Sequence, residues 1–390
     1  MTSGHLGIYT SLTDVTVIST DVQTLLVNWR HADRILNVPV LHCVSVERAS
    51  GYVVAATTDF DPLADPLEVE REMHRIGDFS LPRAWRKHGR LWAFGEYQDS
   101  ILRGVMNNLT PEEVHFASNS FDLPGTGGRI RGDIFQAAHM MLVKKLVGGS
   151  FRQLVLCLDG DAGLARLACA LFASDVIDGR VHVADVRFSK ELGNQRRNKL
   201  VVHGAGLYRT DLETYAALMR IAKTADGLNS AATQLVAARL LASYAVAPSQ
   251  LRAEALARNG YEWRYHRKEE PEKTIRLLTD RGDLSFGDLA MLLSRCTMAP
   301  VDKYFAQARR RVRAFDRGSR PTSGRATWYV SAFYNPEMVE KLSTILRFYH
   351  NFMLLEAPSK GMTKSERRTP GMKIGAARGL VYVRDILSFS

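Results

Sequence analysis

Residues 151–190 read FRQLVLCLDGDAGLARLACALFASDVIDGRVHVADVRFSK, and the rest of the chain is organised around them. The apolar run Gln153–Leu158 has the length of a buried strand and ends in the acidic step DGD at residues 159–161. Helical spacing follows over residues 162–174, and the alternation of Arg180–Phe188 predicts a second strand. This order of strand, acidic turn, helix and strand is typical of α/β enzymes, which place catalytic side chains at the carboxyl ends of strands.

Three strand-like runs precede this stretch. Val15–Arg30 is β-branched and apolar and is interrupted by Asp21. Val38–Val46 and Tyr52–Thr58 alternate on either side of a short Ser-Gly turn, which is a strong hairpin signal. Together the three runs predict an antiparallel meander whose first strand carries Asp21.

Length and composition describe an ordinary globular protein. The chain has 390 residues, of which 46% are hydrophobic and 24% charged, so it is long enough for two or three domains. No apolar run has the length of a membrane span, and the N-terminus lacks the basic start and apolar core of a signal peptide. Four cysteines without a CxxC pair indicate neither a disulfide framework nor a zinc ribbon. We therefore expect a cytoplasmic protein that does not bind membranes.

The net charge of +11 is more informative. A basic surface attracts polyanions because binding releases counterions, so nucleic acid is the first partner to consider. A basic soluble enzyme that acts on a small acidic substrate stays open as an alternative. Clustering favours nucleic acid, and the clusters are Arg129 with Arg131, Lys144 with Lys145, Arg196 and Arg197 with Lys199, Arg309, Arg310 and Arg311 with Arg313, and Arg367 with Arg368.

The later half of the chain is largely helical by pattern. A polar, basic loop is predicted over residues 189–199, and residues 201–296, which include the Ala- and Leu-rich stretch Asp211–Val246, are predicted to form an all-helical insertion. We expect residues 1–200 to form the first part of an α/β core and residues 297–390 to complete it. That last part contains two predicted helices, Val301–Phe315 and Pro336–Leu355.

Three aspartates are candidates for a metal site. Asp21 lies within the first strand, Asp161 follows the central strand, and Asp302 opens the arginine-bearing helix. Carboxylates that hold two Mg²⁺ ions are the groups that phosphodiester hydrolysis and strand transfer require. Each residue also has a structural alternative: an edge-strand polar residue for Asp21, a turn residue or helix N-cap for Asp161, and a helix N-cap for Asp302.

The element order resembles the ribonuclease H-like fold of transposases and retroviral integrases. Its hairpin VSVERASGYVVAATTDF is similar to the second and third strands of that fold, and LCLDGDAGLARL is similar to the fourth strand with the second acid. LRFYHNF followed by RRTPGMKIGAARG resembles the tail of bacterial insertion-sequence transposases, in which an aromatic-Asn-Phe helix precedes a Thr-Pro-x-Met-x-x-Gly segment. In this chain those residues are Tyr349, Asn351, Phe352, Thr369, Pro370, Met372 and Gly375.

This resemblance implies three acids that bind Mg²⁺ or Mn²⁺. The first falls on Asp21, the second on Asp161 in preference to Asp159, and the third on Asp302, where the family usually has Glu. Other residues that could supply the third acid are Glu191, Glu337 and Glu340. The resemblance also implies a homo-oligomer that pairs two DNA ends, although no N-terminal DNA-binding module is evident.

The expected function is therefore DNA strand cleavage and strand transfer by a DDE/DDD-type transposase. The expected fold is α/β, a ribonuclease H-like mixed sheet flanked by helices with an all-helical insertion. A DNA-binding relative that no longer cleaves is the main alternative. The residues expected to bind the DNA backbone are Arg309, Arg310, Arg311, Arg313, Arg196, Arg197 and Lys199.

Overall fold

A seven-stranded mixed sheet forms the centre of the protein in the computed structural model. The structure describes residues 15–31, 34–97, 99–100, 127–148, 151–214, 225–244, 246–316, 331–358 and 363–388. The strands are β1 (Val15–His31), β2 (Arg34–Glu47), β3 (Val53–Thr58), β4 (Phe60–Asp61), β5 (Gly128–Arg129), β6 (Gln153–Leu158), β7 (Val181–Arg187), β8 (Tyr261–Glu262) and β9 (Thr274–Leu277). The order across the sheet is β3-β2-β1-β6-β7-β9-β8, while β4 and β5 form a separate pair.

The predicted meander and central stretch are both confirmed. Strands β1, β2 and β3 pair antiparallel, and β6 and β7 follow β1 in parallel. Parallel neighbours require a crossover connection, which here is made by the helices on either side of β6. The fold class is therefore α/β with a mixed sheet flanked by helices.

Helices cover both faces of the sheet. Those described are α1 (Pro66–Arg75), α2 (Gly132–Val147), α3 (Ala162–Leu171), α4 (Ala173–Ile177), α5 (Asn194–Thr214), α6 (Ala225–Tyr244), α7 (Ser249–Arg258), α8 (Phe286–Arg295), α9 (Ala299–Arg311), α10 (Pro336–Phe348), α11 (Pro370–Lys373) and α12 (Val383–Leu387), with a π-helical turn at Tyr349–Met353. No described helix combines the length and the apolarity that crossing a bilayer requires.

The two faces of the sheet have separate hydrophobic cores. One core, which we call the α9 face, contains Val17 of β1, Cys157 of β6 and the buried side of α9. The other, which we call the α2 face, contains Ile18, Leu158 and the buried side of α2. Because successive side chains of a strand point to opposite faces, residue parity decides which core each strand residue joins.

Two expectations for the second half were wrong. The insertion at residues 201–296 is not all-helical, since β8 and β9 lie within it and extend the sheet through pairing of β9 with β7. These strands are only two and four residues long, too short for a periodic signal. The loop predicted over residues 189–199 ends early, because α5 begins at Asn194. Arg196 and Arg197 therefore lie on a helix.

Residues of the tail contact the edge strand β3, and we call this contact the tail lock. Asn351 is buried, and its Oδ1 accepts a hydrogen bond from Val53 N (2.9 Å) while its Nδ2 donates to Val53 O (3.0 Å). The side-chain amide thus pairs with an edge strand as a neighbouring strand would. Covering an edge in this way protects it from pairing with other chains.

Close packing of the backbone at Gly371 against the backbone at Asn351 completes this lock. Thr369 caps α11 by accepting a hydrogen bond from Met372 N (3.2 Å), and Gly371 then lies against the π-helical turn. A Cβ at Gly371 would lie 2.7 Å from the Phe352 ring and 2.8 Å from Asn351 O. Only a residue without a side chain fits there.

We expect Gly371→Ala to lower the free energy of unfolding by about 1–3 kcal/mol, because the added methyl group overpacks a site closed by backbone and an aromatic ring. Gly379→Ala is the matched control, since a Cβ at Gly379 meets nothing within 4 Å. Urea denaturation of both variants measures the difference. Equal stability of the two variants would contradict the role of this lock.

Candidate active site

Two acidic residues lie side by side at the carboxyl ends of β1 and β6. The parallel register places Thr20 opposite Leu158, so the next residues along are Asp21 and Asp159. Asp21 has the parity of Val17 and Asp159 that of Cys157, so both carboxylates point to the α9 face. Adjacent parallel strands therefore present two carboxylates to the same side of the sheet.

Lys190 bridges these two carboxylates. Its ammonium forms an ion pair with Asp159 and lies 3.9 Å from Asp21 Oδ2. The side chain of Asp21 is 15% exposed, and that of Lys190 is half exposed. Lys190 lies in the short segment between β7 and α5. Arg197 of α5 donates a hydrogen bond to the Lys190 carbonyl (2.7 Å). The lysine is thus held in place by its backbone.

Asp302 lies on α9, the helix that packs over the face of the sheet to which Asp21 and Asp159 point. It lies in the first turn of α9, whose residues Val301, Tyr304 and Phe305 are buried in the core of the α9 face. It is not the N-cap of this helix, because that position belongs to Met298. The alternative role of Asp302 as a helix N-cap is therefore wrong.

The pKa values of these acids report on one shared environment. Burial raises the pKa of Asp21 to about 7, the Lys190 charge opposes this rise, and the negative charges of Asp159 and Asp302 add to it. Burial also raises the pKa of Asp302, where Lys190 again acts in the opposite direction and Asp159 adds to the rise. The three carboxylates and the lysine are therefore electrostatically coupled.

Asp161, which the sequence favoured over Asp159, has a different environment. It is the N-cap of α3, and its Oδ1 accepts hydrogen bonds from Gly163 N (2.7 Å) and Leu164 N (3.2 Å). Its Oδ2 accepts one from Gln136 Nε2 (2.6 Å) on α2, the helix of the other face. The contacts agree with the alternative role of Asp161, a helix N-cap, and they favour Asp159 as the second acid.

The other residues considered for the third acid lie elsewhere. Glu337 forms an ion pair with Lys341 on its own helix (2.7 Å), and Glu340 is exposed on α10. Glu191 is exposed beside Lys190. Asp302 is the one of these acids whose charge acts on the pKa of Asp21.

The donor set suits a hard divalent cation in kind. Carboxylate oxygens are the ligands that Mg²⁺ prefers, and Asp21, Asp159 and Asp302 supply such oxygens. Within the described ranges, however, no three His, Cys, Asp or Glu side chains are close enough to hold a metal ion as they stand. In this arrangement the Lys190 ammonium supplies the positive charge beside Asp21 and Asp159.

An arginine-lined cavity lies on the same helix as Asp302. It measures about 590 Å³ and is lined by Ala306, Arg309, Arg310, Arg311, Arg313 and Asp316. Arg309 follows Asp302 by seven residues, which is nearly two helical turns or roughly 10 Å along the same side of the helix. The Arg309 charge acts on the pKa of Asp302, and its Nη1 donates to Gln23 Oε1 (3.4 Å) on β1. The cavity and the carboxylates thus adjoin.

The three basic residues expected to bind DNA from α5, Arg196, Arg197 and Lys199, have two different environments. Arg196 and Lys199 are exposed on α5. Arg197 instead donates to the carbonyls of Leu192 (2.7 Å), Lys190 (2.7 Å) and Lys268 (3.4 Å). Its guanidinium therefore fixes the backbone around Lys190, a role that differs from the phosphate contact expected from the sequence.

Comparison with known proteins adds no assignment: no protein-family model, no curated protein and no solved structure matches this chain. The site therefore has to be argued from its own geometry.

Sequence reasoning did not consider Lys190, and it preferred Asp161 to Asp159 as the second acid. A usable signal existed for Asp159, because it continues the period-two alternation from Cys157. No local signal existed for Lys190, whose importance comes from contacts with residues far away in sequence.

Proposed function

We propose that this protein is a metal-dependent enzyme that cleaves and joins DNA strands, with a ribonuclease H-like core of the transposase type. Asp21, Asp159 and Asp302 would bind Mg²⁺ or Mn²⁺, and the arginines of α9 would bind the phosphate backbone. The observation that carries the proposal is the coupling of three carboxylates on one face of the sheet, next to an arginine-lined cavity.

The fold supports this proposal at a coarser level. A three-stranded antiparallel meander is followed by a helix, a strand that ends in an acid, a helix and a further strand. This element order resembles that of the ribonuclease H-like fold. The excess of basic residues over the whole chain also suits a polyanionic substrate.

Each part of the site has a distinct task in this proposal. Asp21, Asp159 and Asp302 would hold Mg²⁺ or Mn²⁺, which would supply the Lewis acidity that phosphodiester cleavage requires. The guanidinium groups of Arg310 and Arg313 would bind phosphate oxygens and so align the strand along α9. Burial of Asp21 and Asp302 keeps the local dielectric low, which strengthens their attraction for cations.

We expect the double substitution Arg310→Ala and Arg313→Ala to weaken DNA binding about equally for all sequences. Both arginines are exposed and line the cavity, where the proposal assigns them contacts with the phosphate backbone, which carries no sequence information. The slope of log K against log salt should become shallower by roughly 0.9 for each lost phosphate contact. Fluorescence anisotropy over a salt series measures both effects.

Arg384→Ala provides the control, because Arg384 is 82% exposed on α12, outside the cavity. If this variant lost as much affinity as the double variant, binding would depend on net charge and not on the cavity. Absence of DNA affinity at low salt in the unmodified protein would contradict nucleic-acid binding altogether and favour a small acidic substrate.

A second candidate function rests on Lys190. Because its ammonium already bridges Asp21 and Asp159, a relative that binds DNA without cleaving it would need no metal. Salt-sensitive DNA binding without Mg²⁺- or Mn²⁺-dependent nicking distinguishes this candidate from the enzyme.

A further inference from the structure

The connection between β8 and β9 contacts both halves of the candidate active site. We call residues 268–273 of this connection the β8–β9 turn. It belongs to the predicted insertion, and it carries a buried ion pair between Glu270 and Lys273 (2.8 Å). Burying two charges is costly unless further hydrogen bonds satisfy them, so the partners of this pair reveal what the turn holds.

Glu270 holds the start of the helix that carries Asp302. Its Oε1 accepts hydrogen bonds from Thr297 Oγ1 (2.6 Å), Met298 N (2.6 Å) and Ala299 N (3.2 Å). The first N–H groups of a helix have no partner within the helix, and Met298, the N-cap, makes no capping bond with its own side chain. Glu270 thus caps α9 from outside.

The charge of Glu270 also affects the pKa of Asp302. Burial by itself raises the pKa of Glu270, but Lys273 and the hydrogen bonds outweigh it and hold this pKa below its usual value. The carboxyl is therefore ionised, and its negative charge adds to the rise in the pKa of Asp302, after burial and Asp159.

The same turn holds the segment that carries Lys190. Ser189 N donates to Pro271 O (3.0 Å), and Arg197 donates to Lys268 O (3.4 Å) while also binding Lys190 O. Glu272, in the same turn, has a φ of 53°, the one positive φ among the non-glycine residues in the described ranges. A strained backbone conformation persists where surrounding contacts impose it.

We propose that the β8–β9 turn is a positioning element of the active site, and that Glu270 is its central positioning residue: it sets Asp302, through α9, against Lys190, whose segment the same turn anchors. This inference rests on the proposed function for its catalytic consequence. The two pieces of backbone that it links are more than a hundred residues apart in sequence, and the insertion supplies the link. The insertion therefore belongs to the catalytic architecture and is not a separate appendage.

Glu270→Ala tests the inference, with Glu270→Gln as the conservative variant and Glu269→Ala as the matched control on an exposed neighbour. Amide hydrogen exchange in the full chain is measured first. We expect Glu270→Ala to speed exchange in two segments at once, residues 297–303 and residues 188–197, while Glu269→Ala changes neither. Exchange that rises only at the start of α9, or nowhere, overturns the inference whether or not the protein cleaves DNA.

Kinetics then separate positioning from mere stability. We expect Glu270→Ala to lower kcat for Mg²⁺-dependent cleavage by about 10–100-fold, with KM for DNA changed less than about threefold, as is typical for groups that orient metal ligands. Glu270→Gln, which keeps an acceptor oxygen, should recover part of kcat. A kcat equal to that of the unmodified protein in a folded Glu270→Ala variant overturns the inference. An unmodified protein without metal-dependent cleavage contradicts the proposed function instead, and hydrogen exchange still decides the inference.

Discussion

Asp159→Asn is expected to reduce Mg²⁺-dependent DNA cleavage by about 10³-fold or more, whereas Asp161→Asn should change it by only a few-fold. Asp159 extends the register that pairs β1 with β6, faces the α9 side with Asp21 and forms an ion pair with Lys190. Loss of one preorganised charged group in an active site commonly costs this much or more. Single-turnover nicking of a labelled duplex with Mg²⁺ or Mn²⁺ measures the effect.

The contrast between the two neighbours makes this test specific. Asn is as good an N-cap as Asp, so Asp161→Asn keeps the hydrogen bonds from Gly163 and Leu164 that begin α3. Both variants remove one carboxylate charge from the same turn, so the change in net charge is matched. Loss of activity in Asp161→Asn with retention in Asp159→Asn would restore the assignment that the sequence favoured.

Asp21→Asn is expected to stabilise the metal-free protein at neutral pH. The pKa of Asp21 is raised to about 7 in the folded state from an ordinary 3.8, first by burial. Below about pH 4 the carboxyl is protonated in both states and has no differential effect. Between about pH 4 and 7 only the folded state retains the proton, so the free energy of unfolding falls as pH rises, and the full cost is present above about 7.

The amide removes this cost because it does not ionise. Each unit of pKa difference corresponds to about 1.4 kcal/mol, so the gain in Asp21→Asn should grow with pH to a few kcal/mol. Guanidinium denaturation of both proteins between pH 4 and 8, without divalent metal, measures it. A difference between the proteins that does not vary with pH would contradict the raised pKa.

Metal addition provides the second arm of this experiment. A ligand that binds only the folded state stabilises it by mass action, so Mg²⁺ should raise the stability of the unmodified protein at pH 8. The same addition should affect Asp21→Asn much less, because a carboxylate ligand is missing. If Mg²⁺ stabilised both proteins equally, the metal would bind elsewhere.

Much of the sheet could be predicted because its signals are local. The alternation around the Ser-Gly turn specifies a hairpin, and the apolar run Gln153–Leu158 specifies a buried strand, with no help from distant residues. Strands β8 and β9 escaped prediction because two and four residues carry too little pattern. They form because β7 offers them a partner edge.

The tail shows the same division. Its residues Asn351, Phe352 and Thr369 were visible as parts of a motif, but a motif does not say what it contacts. Asn351 contacts the edge strand β3, almost 300 residues earlier, and Gly371, at a position that the motif leaves unspecified, packs against the ring of Phe352. Only the folded chain brings these groups together.

In residues 151–190 the information in the sequence can be separated from the information in the tertiary structure. By itself the sequence determined that a buried strand ends there in two acids, Asp159 and Asp161, because length, apolarity and turn residues are local properties. It did not determine which acid belongs to the site. The tertiary structure favours Asp159 for the candidate site, because side-chain parity points Asp159 toward Asp21 and because α9 and Lys190 approach only after residues far apart in sequence have packed on the same face.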